Sequence, residues 1–333
     1  MSESVNYGLW YDFRNPEHWR QPFEEFYEQR FDQIVRAENL GFDSCWLTEH
    51  HFCDDGYTPS PLVLASAIAS RAKSMRLGTN LMLLPLHDPV RVAEDVATLS
   101  LITRGRFDLG VGIGYRQLEF DQFQRKISHR PSLVEEGIEI LRRSWSGSPV
   151  NFSGKRFEVG DIKVTPAPET LPKIYLGGMA PPAIERAARV ADGFLCTGGI
   201  GIDLYNEALE KQGKAVQDGD IILGCWAIIA EDPEEEAAKI GEHVLYQANE
   251  YIKWGAFGPP GSTPLFENAA SAIENGLYQL WDAETAVSEL NKLVTTYPNI
   301  RDIHFWAQFP GESVESGDKR LRYIAENVLP RLA

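Results

Sequence analysis

Short apolar runs alternate with longer amphipathic segments along almost the whole chain. The runs have the length of strands, and the longer segments repeat apolar residues at helical spacing. Strands are predicted at residues 6–10, 44–48, 75–84, 106–111, 173–176, 193–196, 220–229 and 302–306. Helices are predicted at residues 22–39, 60–70, 89–103, 132–144, 181–191, 204–212, 233–254, 282–296 and 316–329. The pattern therefore predicts an α/β protein built from repeated strand–helix units.

Repeated strand–helix units call for parallel strands joined by right-handed crossovers. About eight units favour a closed (β/α)8 TIM barrel over an open, doubly wound sheet. An open sheet that binds a dinucleotide would usually carry a glycine-rich turn after its first strand, whereas residues 10–14 here read Trp-Tyr-Asp-Phe-Arg. A length of 333 residues is normal for one such barrel with insertions. We therefore predict a single (β/α)8-barrel domain over residues 1–333.

Two stretches interrupt the alternation. Residues 147–165 place Gly154 and Lys155 between two β-prone ends, which predicts a hairpin. Residues 255–281 are rich in Gly, Pro, Ser and Asn. A loop of that length in a compact domain is often a lid or a binding loop, although a disordered surface excursion would have the same composition. We interpret residues 255–281 as a candidate lid insertion.

A net charge of −16 limits the class of partner. It would repel nucleic acid and anionic membranes, so neither is expected as a partner. The four cysteines, Cys45, Cys53, Cys196 and Cys225, include no CxxC pair, which argues against a zinc site or a redox dithiol. No signal-peptide pattern and no apolar stretch of about 20 residues is present, so we expect a cytoplasmic protein without a membrane span.

Polar residues cluster just after the second predicted strand, in the run Glu49-His50-His51-Phe52. Because the carboxyl ends of barrel strands form the active-site face, this position favours a catalytic role. Histidine can act there as an acid, a base or a hydrogen-bond donor. A metal held with His87, Asp88 or His304 is the alternative. Adjacent histidines in an extended chain point to opposite faces, so we expect no metal.

Glycines mark two further strand ends as places where a ligand can approach the backbone. Gly110, Gly112 and Gly114 leave the end of the fourth strand almost without side chains, which suits a flat ring or a phosphate. Residues 177–180 (Gly-Gly-Met-Ala) lead into a helix, where free N–H groups and the helix dipole would favour an anion. The glycines of residues 198–201 could contribute to the same site. Arg130 is a candidate partner for a phosphate.

Three blocks, taken together, resemble the bacterial luciferase-like flavin monooxygenases. They are Glu49-His50-His51-Phe52, residues 84–91 (Leu-Pro-Leu-His-Asp-Pro-Val-Arg) and residues 105–114 (Gly-Arg-Phe-Asp-Leu-Gly-Val-Gly-Ile-Gly). The resemblance implies a barrel that binds reduced FMN across its strand ends. It also implies a cis peptide between Asn80 and Leu81, beneath the flavin ring. The resemblance is clearest up to about residue 193.

The resemblance also assigns roles to particular residues. His50 matches the family histidine that supports a flavin C4a-peroxide, and Glu49 stands beside it in the expected catalytic set. The cofactor-binding residues are then expected to be Asn80, Leu81, Gly112, Gly114, Tyr115, Arg130, Gly177, Gly178, Met179 and Ala180. A mostly apolar substrate pocket could be lined by Trp10, Phe13, Tyr57, Trp306 and Phe309, although each could equally be a core residue.

The implied function is a monooxygenase that uses reduced FMN and oxygen to oxidise a small, apolar organic substrate. A separate flavin reductase would supply the reduced flavin. The alternatives are hydride transfer with a deazaflavin coenzyme and, in a different class, flavin binding without chemistry. The Glu-His-His-Phe block resembles the FMN branch more closely, because the deazaflavin branch more often has Asp-His there. A homodimer is expected, since residues 62–69 are apolar on nearly all sides of their predicted helix.

The chain departs from luciferase itself at three places. Gly112 stands where luciferase has a reactive cysteine. Ala180 and Ala183 replace phosphate-binding hydroxyls, so backbone donors and Arg130 would have to hold the phosphate. Residues 281–284 (Trp-Asp-Ala-Glu) replace the Gly-Ser/Thr-Pro-Glu of many relatives, which weighs against the same lid geometry and against an aldehyde or bioluminescent substrate.

Overall fold

Eight parallel strands close into a barrel in the computed structural model, which describes residues 4–332. The described residues hold twelve strands, of which β5, β6, β10 and β11 lie outside the barrel: β1 Asn6–Tyr11, β2 Ser44–Leu47, β3 Arg76–Thr79, β4 Phe107–Val111, β5 Val150–Ser153, β6 Glu158–Ile162, β7 Ile174–Gly177, β8 Gly193–Thr197, β9 Asp220–Cys225, β10 Ala227–Ile229, β11 Gln279–Trp281 and β12 Ile300–Trp306. Around the barrel the order is β1, β2, β3, β4, β7, β8, β9, β12 and back to β1. The (β/α)8 TIM-barrel prediction is confirmed.

Helices cover the outside of the barrel. They are α1 Phe23–Asn39, α2 Pro61–Arg71, α3 Pro89–Thr103, α4 Gln117–Gln122, α5 Arg130–Trp145, α6 Pro181–Val190, α7 Ile202–Lys211, α8 Pro233–Lys239, α9 Gly241–Trp254, α10 Ala269–Glu274, α11 Ala283–Thr296 and α12 Val314–Asn327. Their ends follow local chemistry. Asp88 caps α3 by accepting the N–H groups of Val90 and Arg91, and Gly255, at φ 92°, ends α9 in a left-handed conformation.

Strand residues alternate between the barrel interior and the helix layer, as the pleat requires. Leu9 and Cys45 pack with helix residues in the larger core cluster. Their neighbours Trp10 and Trp46 belong to a second cluster inside the barrel, rich in aromatic residues and closed at one end by α9. This second cluster forms the floor beneath the carboxyl ends of the strands.

Three predicted elements differ from the structure. The strand predicted at 75–84 ends at Thr79; the Asn80–Leu81 peptide that follows is cis, and a 3-10 turn lies at Leu84–Leu86. The strand predicted at 220–229 divides into β9, which stays in the barrel, and β10, which pairs with β11 outside it. The helix predicted at 233–254 divides into α8 and α9 around Ile240.

Both interruptions of the alternation have ordered structure. The predicted hairpin is present, with β5 and β6 antiparallel. Residues 255–281 are less of a loop than predicted, because they contain α10 and then β11, which pairs with β10. Tyr278 and Trp281 are buried there. A lid in this segment stays a prediction, and the structure confines the part without helix or strand ahead of α10 to residues 255–268.

Packing within one chain accounts for most of the apolar character of α2. Leu64, Ala65, Ile68 and Ala69 are all buried by the chain itself, whereas the Val63 side chain is 69 % exposed. The homodimer therefore stays a prediction, as does the cytoplasmic location. Within residues 4–332, no helix combines the length and the apolar character needed to cross a membrane.

Candidate active site

The carboxyl ends of β2, β3 and β4 meet at one rim of the barrel, because these strands are parallel neighbours. Catalytic side chains of this fold class stand at that rim. The segments that follow the three strands carry Glu49 and His50, then the Asn80–Leu81 peptide, then residues 112–115. The structure therefore brings both predicted catalytic residues and several predicted cofactor residues to the same end of the molecule.

His50 is buried and forms a pair with a carboxylate that the sequence argument did not identify. Its Nδ1 lies 2.8 Å from Oε1 of Glu119, a fully buried residue of α4. Its Nε2 lies 3.0 Å from the hydroxyl of Tyr115. If Nδ1–H donates to the carboxylate, Nε2 is the nitrogen that can accept a proton. The pair therefore has the arrangement of a general base with its orienting carboxylate.

The charges of this pair favour that role. Burial lowers the pKa of His50, and the hydrogen bond and negative charge of Glu119 only partly offset the shift. Burial acts to raise the pKa of Glu119, but the hydrogen bonds from His50 and His51 and the charge of Arg116 outweigh it, so the pKa is lowered. At neutral pH the pair is a neutral imidazole beside an ionised carboxylate, which is the state in which histidine accepts a proton.

Glu119 was not predicted from the sequence, because the helix that carries it, α4, is only six residues long. Helical periodicity cannot be read over so short a segment. The signal that was present is one carboxylate between two apolar residues, Leu118 and Phe120. Besides His50, Glu119 accepts the backbone N–H of His51 at 3.0 Å and a guanidinium N–H of Arg116 at 3.0 Å.

Glu49 is buried but directed away from His50. Its Oε1 lies 2.9 Å from Nε2 of His51 and 2.7 Å from Nε2 of His87, and its Oε2 accepts the backbone N–H of Leu83. Burial acts to raise the pKa of Glu49, but the charge and hydrogen bonds of the two histidines lower it to about 2. Through these contacts Glu49 links the segment that carries His50 to Leu83 and His87, and its catalytic role stays a prediction.

Leu81, Gly112 and Gly177 form a cradle that lacks side chains on its glycine side. The Asn80–Leu81 peptide is cis, as the resemblance implied. A Cβ atom at Gly112 would lie 2.4 Å from Cδ1 of Leu81, and one at Gly177 would lie 2.6 Å from its Cδ2. A side chain at either position would push against the Leu81 side chain, so the two glycines, both buried, let Leu81 lie close to the backbone at the ends of β4 and β7.

Asn80 faces the barrel interior rather than this cradle. Its side-chain nitrogen lies 2.9 Å from Nε2 of His304, and its carbonyl accepts the indole N–H of Trp10 at 2.9 Å. Of the two predicted residues at this peptide, the one whose side chain contacts the cradle glycines is Leu81.

The turn of residues 177–180 offers fewer donors than the sequence argument assumed. Its helix α6 begins with Pro181 and Pro182, which have no N–H, and the N–H of Ala183 already bonds to Ala180 at 2.8 Å. The donors available to an anion are those of Gly178, Met179 and Ala180. Arg130 bonds to the carbonyl of Gly114 at 3.0 Å, where φ is 72°, so it stands at the end of β4.

A pocket of about 640 Å³ opens beside the His50 site. Trp254, the last residue of α9, lines this pocket and places its ring 5.2 Å from that of His50. The guanidinium carbons of Arg14 and Arg116 lie 4.9 and 4.7 Å from the same indole ring. Trp254 therefore separates the open pocket from the buried histidine.

The predicted aromatic lining divides between site and core. Tyr57 belongs to the site, because its ring lies 4.9 Å from that of His50. Trp10 and Trp306 stack at 4.4 Å inside the barrel, below the rim. Phe13 packs against Phe31 of α1 in the larger core cluster, so it is a core residue.

Comparison with known proteins agrees with this geometry. Residues 8–289 match the family described as luciferase-like monooxygenase. A curated relative, the F420-dependent glucose-6-phosphate dehydrogenase of Amycolatopsis mediterranei (strain U-32), is 33% identical over 204 residues, which are 57% of this chain and 61% of the relative. The chain thus aligns with less than two thirds of that relative's length.

Two solved structures share the whole fold. The monooxygenase RslO1 from Streptomyces bottropensis has a TM-score of 0.79 at 22% identity, covering 98% of this chain and 99% of its own. An F420-dependent secondary alcohol dehydrogenase, in complex with an F420-acetone adduct, has a TM-score of 0.76 at 18% identity and covers 99% of both chains. Because the family match extends over most of the 333 residues, the chain belongs to the luciferase-like monooxygenase family.

Proposed function

We propose that this protein is a deazaflavin-dependent oxidoreductase that moves a hydride between a hydroxyl-bearing carbon of a small organic substrate and the cofactor ring. The buried His50–Glu119 pair carries the proposal. Oxidation of an alcohol by hydride loss also releases a proton, which a base must accept. The relative named as an F420-dependent dehydrogenase supports a deazaflavin over FMN. The deazaflavin, which the sequence indicated only as the alternative cofactor, is therefore preferred over FMN.

His50 and Glu119 divide the proton chemistry between them. Nε2 of His50, which now lies 3.0 Å from the Tyr115 hydroxyl, would take the proton of the substrate hydroxyl in place of that contact, while the hydrogen on the same carbon leaves with its electron pair. When bound, the deazaflavin supplies the acceptor for that hydride. The alcohol becomes a carbonyl compound, and Glu119 stabilises the imidazolium through Nδ1–H. Reduction of a carbonyl compound uses the same groups in reverse.

The cradle and the turn beside it would hold the cofactor. Leu81, Gly112 and Gly177 would contact its flat ring, and Leu81 is the one of the three that is partly exposed. The N–H groups of residues 178–180 would bind its phosphate, with Arg130 at the neighbouring strand end. Tyr115 and Tyr57 pack against His50, with ring centres 5.3 and 4.9 Å from that of the imidazole.

A second candidate function is the FMN-dependent monooxygenase that the Glu-His-His-Phe block indicates. The specific observation in its favour is the aromatic enclosure of His50, whose ring lies 4.9 Å from Tyr57, 5.3 Å from Tyr115 and 5.2 Å from Trp254. Such an enclosure keeps water away from oxygen chemistry. A small apolar substrate, oxygen and a separate flavin reductase would then be the partners. A flavin-binding protein that catalyses no reaction would not need the buried His50–Glu119 pair.

The test compares binding of oxidised and reduced F420 with binding of reduced FMN under anaerobic conditions, followed by mixing with alcohols or with oxygen. We expect F420 to bind and to be reduced by an alcohol, with no acceleration of reoxidation by oxygen. Tight binding of reduced FMN with rapid oxygen consumption would instead establish the monooxygenase. Binding of neither cofactor would contradict both proposals.

Replacing Glu119 by glutamine is expected to lower kcat on the order of 100-fold with little change in KM. The amide keeps the volume of the side chain but cannot stabilise the imidazolium of His50 with a negative charge. Steady-state rates measure the effect, with Glu139→Gln, an exposed residue of α5, as the matched control. A variant as active as the control would remove Glu119 from the mechanism.

Replacing Arg130 by alanine is expected to weaken F420 binding about 10- to 100-fold, the range for losing one hydrogen bond to a charged group. The deazaflavin that lacks the phosphate should lose much less. Fluorescence titration of the two ligands measures the difference, and Arg143→Ala on the outer face of α5 is the control. An equal loss for both ligands would show that Arg130 acts on the ring side or on the fold.

A further inference from the structure

We propose that Glu49, His51 and His87 form a binding site for a divalent first-row metal ion, with Zn²⁺ as the probe. The Nε2 atoms of both histidines and a carboxylate oxygen of Glu49 all lie within 4.8 Å of one another. Glu49 and His51 come from the end of β2, and His87 comes from the segment before α3. This site is separate from the hydride-transfer chemistry and does not depend on it.

The distances suit coordination after a small adjustment. Oε1 of Glu49 lies 2.9 Å from Nε2 of His51 and 2.7 Å from Nε2 of His87. Ligand atoms about 2.0–2.2 Å from a tetrahedral zinc ion stand roughly 3.3 Å apart. An ion that enters between them therefore needs the Glu49 oxygen to move only about half an ångström away from each imidazole. Each imidazole then binds the ion through Nε2 as the neutral tautomer that carries its proton on Nδ1.

The chemistry of the donor set is that of known metal centres. Two imidazoles and one carboxylate, with further positions left to water, bind zinc and iron in many proteins. The second oxygen of Glu49 accepts the backbone N–H of Leu83, which orients the carboxylate in the manner of an outer-shell partner. The negative charge of Glu49 would partly neutralise a divalent ion.

The strand geometry explains why the sequence argument expected no metal. Adjacent histidines in an extended chain point in opposite directions, and these two side chains do have different partners. His50 contacts Glu119, and His51 contacts Glu49. The third ligand, His87, is supplied by another strand end. Adjacency therefore excludes only a site shared by His50 and His51.

An ion can reach this cluster from solvent. The His87 side chain is 26 % exposed, whereas Glu49 is fully buried behind it. The ring of His51 packs 4.7 Å from Phe123, and both Phe123 and the neighbouring Phe52 are exposed. The cluster thus has a polar interior and an outer edge open on the side of His87.

The test titrates Zn²⁺ into untagged, cofactor-free protein in competition with a chromophoric chelator. The variants are His87→Gln and His51→Gln, which keep a hydrogen-bonding side chain near Glu49 but remove an imidazole. The control is His243→Gln, which removes a partly buried histidine bonded to the carbonyl of Pro310, away from the cluster. Circular dichroism and thermal unfolding with EDTA present establish that each variant folds.

We expect the wild type and His243→Gln to bind one Zn²⁺ per chain, and His87→Gln and His51→Gln to bind at least about 100-fold more weakly. Co²⁺ should give visible absorption bands in the wild type that His87→Gln lacks. If His51→Gln does not fold, the zinc affinity of His87→Gln alone tests the site. That variant should fold, because the His87 side chain is partly exposed. Absence of one-to-one binding, or equal binding by wild type and His87→Gln, overturns the site. The assay contains no flavin or deazaflavin, so its outcome is independent of the hydride-transfer proposal.

Discussion

Replacing His50 by alanine is expected to lower turnover on the order of 10²- to 10⁴-fold, the range that a positioned general acid or base contributes. Cofactor binding should change little, because the cradle of Leu81, Gly112 and Gly177 does not include the imidazole. The fold should survive, because Glu119 keeps the N–H of His51 and the guanidinium of Arg116 as partners. The measurement pairs steady-state rates with a titration of F420.

Two controls make this result specific. His243→Ala removes a histidine with no contact to the His50–Glu119 pair, and it should retain normal turnover. Exogenous imidazole, added to His50→Ala, should restore part of the rate if the lost group acted as a base. Unchanged turnover in His50→Ala would remove the proton-transfer role. If the FMN function were the correct one, the same variant should release hydrogen peroxide in place of product.

The barrel could be predicted from sequence because its strand–helix alternation is strong and local. Each predicted barrel strand is present, and most bounds shift by only one or two residues. The errors fall where tertiary contacts override local pattern. Residues 81–84 (Leu-Met-Leu-Leu) continue the apolar pattern, yet the strand ends at Thr79 and a 3-10 turn begins at Leu84. No periodicity along one segment reports where the strand stops.

The candidate site was predictable where one strand end carries several functional residues. His50, Gly112 and Gly177 were identified because their positions follow directly from the strand pattern. Glu119 was not, since it reaches His50 from 69 positions away along the chain. Only the path of the chain between β4 and α5 brings the two side chains together.

The direction of side chains is the part that sequence could not supply. Glu49 and His50 are adjacent, and the sequence argument placed both in the catalytic set. In the structure Glu49 bonds to His51 and His87, whereas His50 bonds to Glu119. Two adjacent residues therefore take part in two different hydrogen-bond networks.

Replacing Arg320 by alanine is expected to lower the free energy of unfolding by about 3–5 kcal/mol at neutral pH, the cost of leaving buried charges without their partner. Nη1 of the guanidinium donates to Glu236 at 2.8 Å and also to Glu312, and Nη2 donates to Glu312 at 2.6 Å. All three residues are buried. Urea unfolding followed by circular dichroism measures the loss. Arg71→Ala, which breaks an exposed pair with Glu28 of similar geometry, should stay close to the wild type.

The pH dependence of this loss distinguishes buried charge from lost packing. Burial acts to raise the pKa of Glu312, but the charge and hydrogen bonds of Arg320 outweigh it, so the pKa of Glu312 is lowered in the wild type. That lowered pKa stabilises the wild type above the unfolded-state pKa, and the contribution is lost as the pH falls. Without Arg320, burial raises the pKa of Glu312. Protonation of Glu312 as the pH falls then removes the uncompensated buried charge that destabilises the variant. The difference in stability should therefore narrow between neutral and mildly acidic pH, whereas a difference that stays constant would mean that Arg320 acts through packing against Phe309.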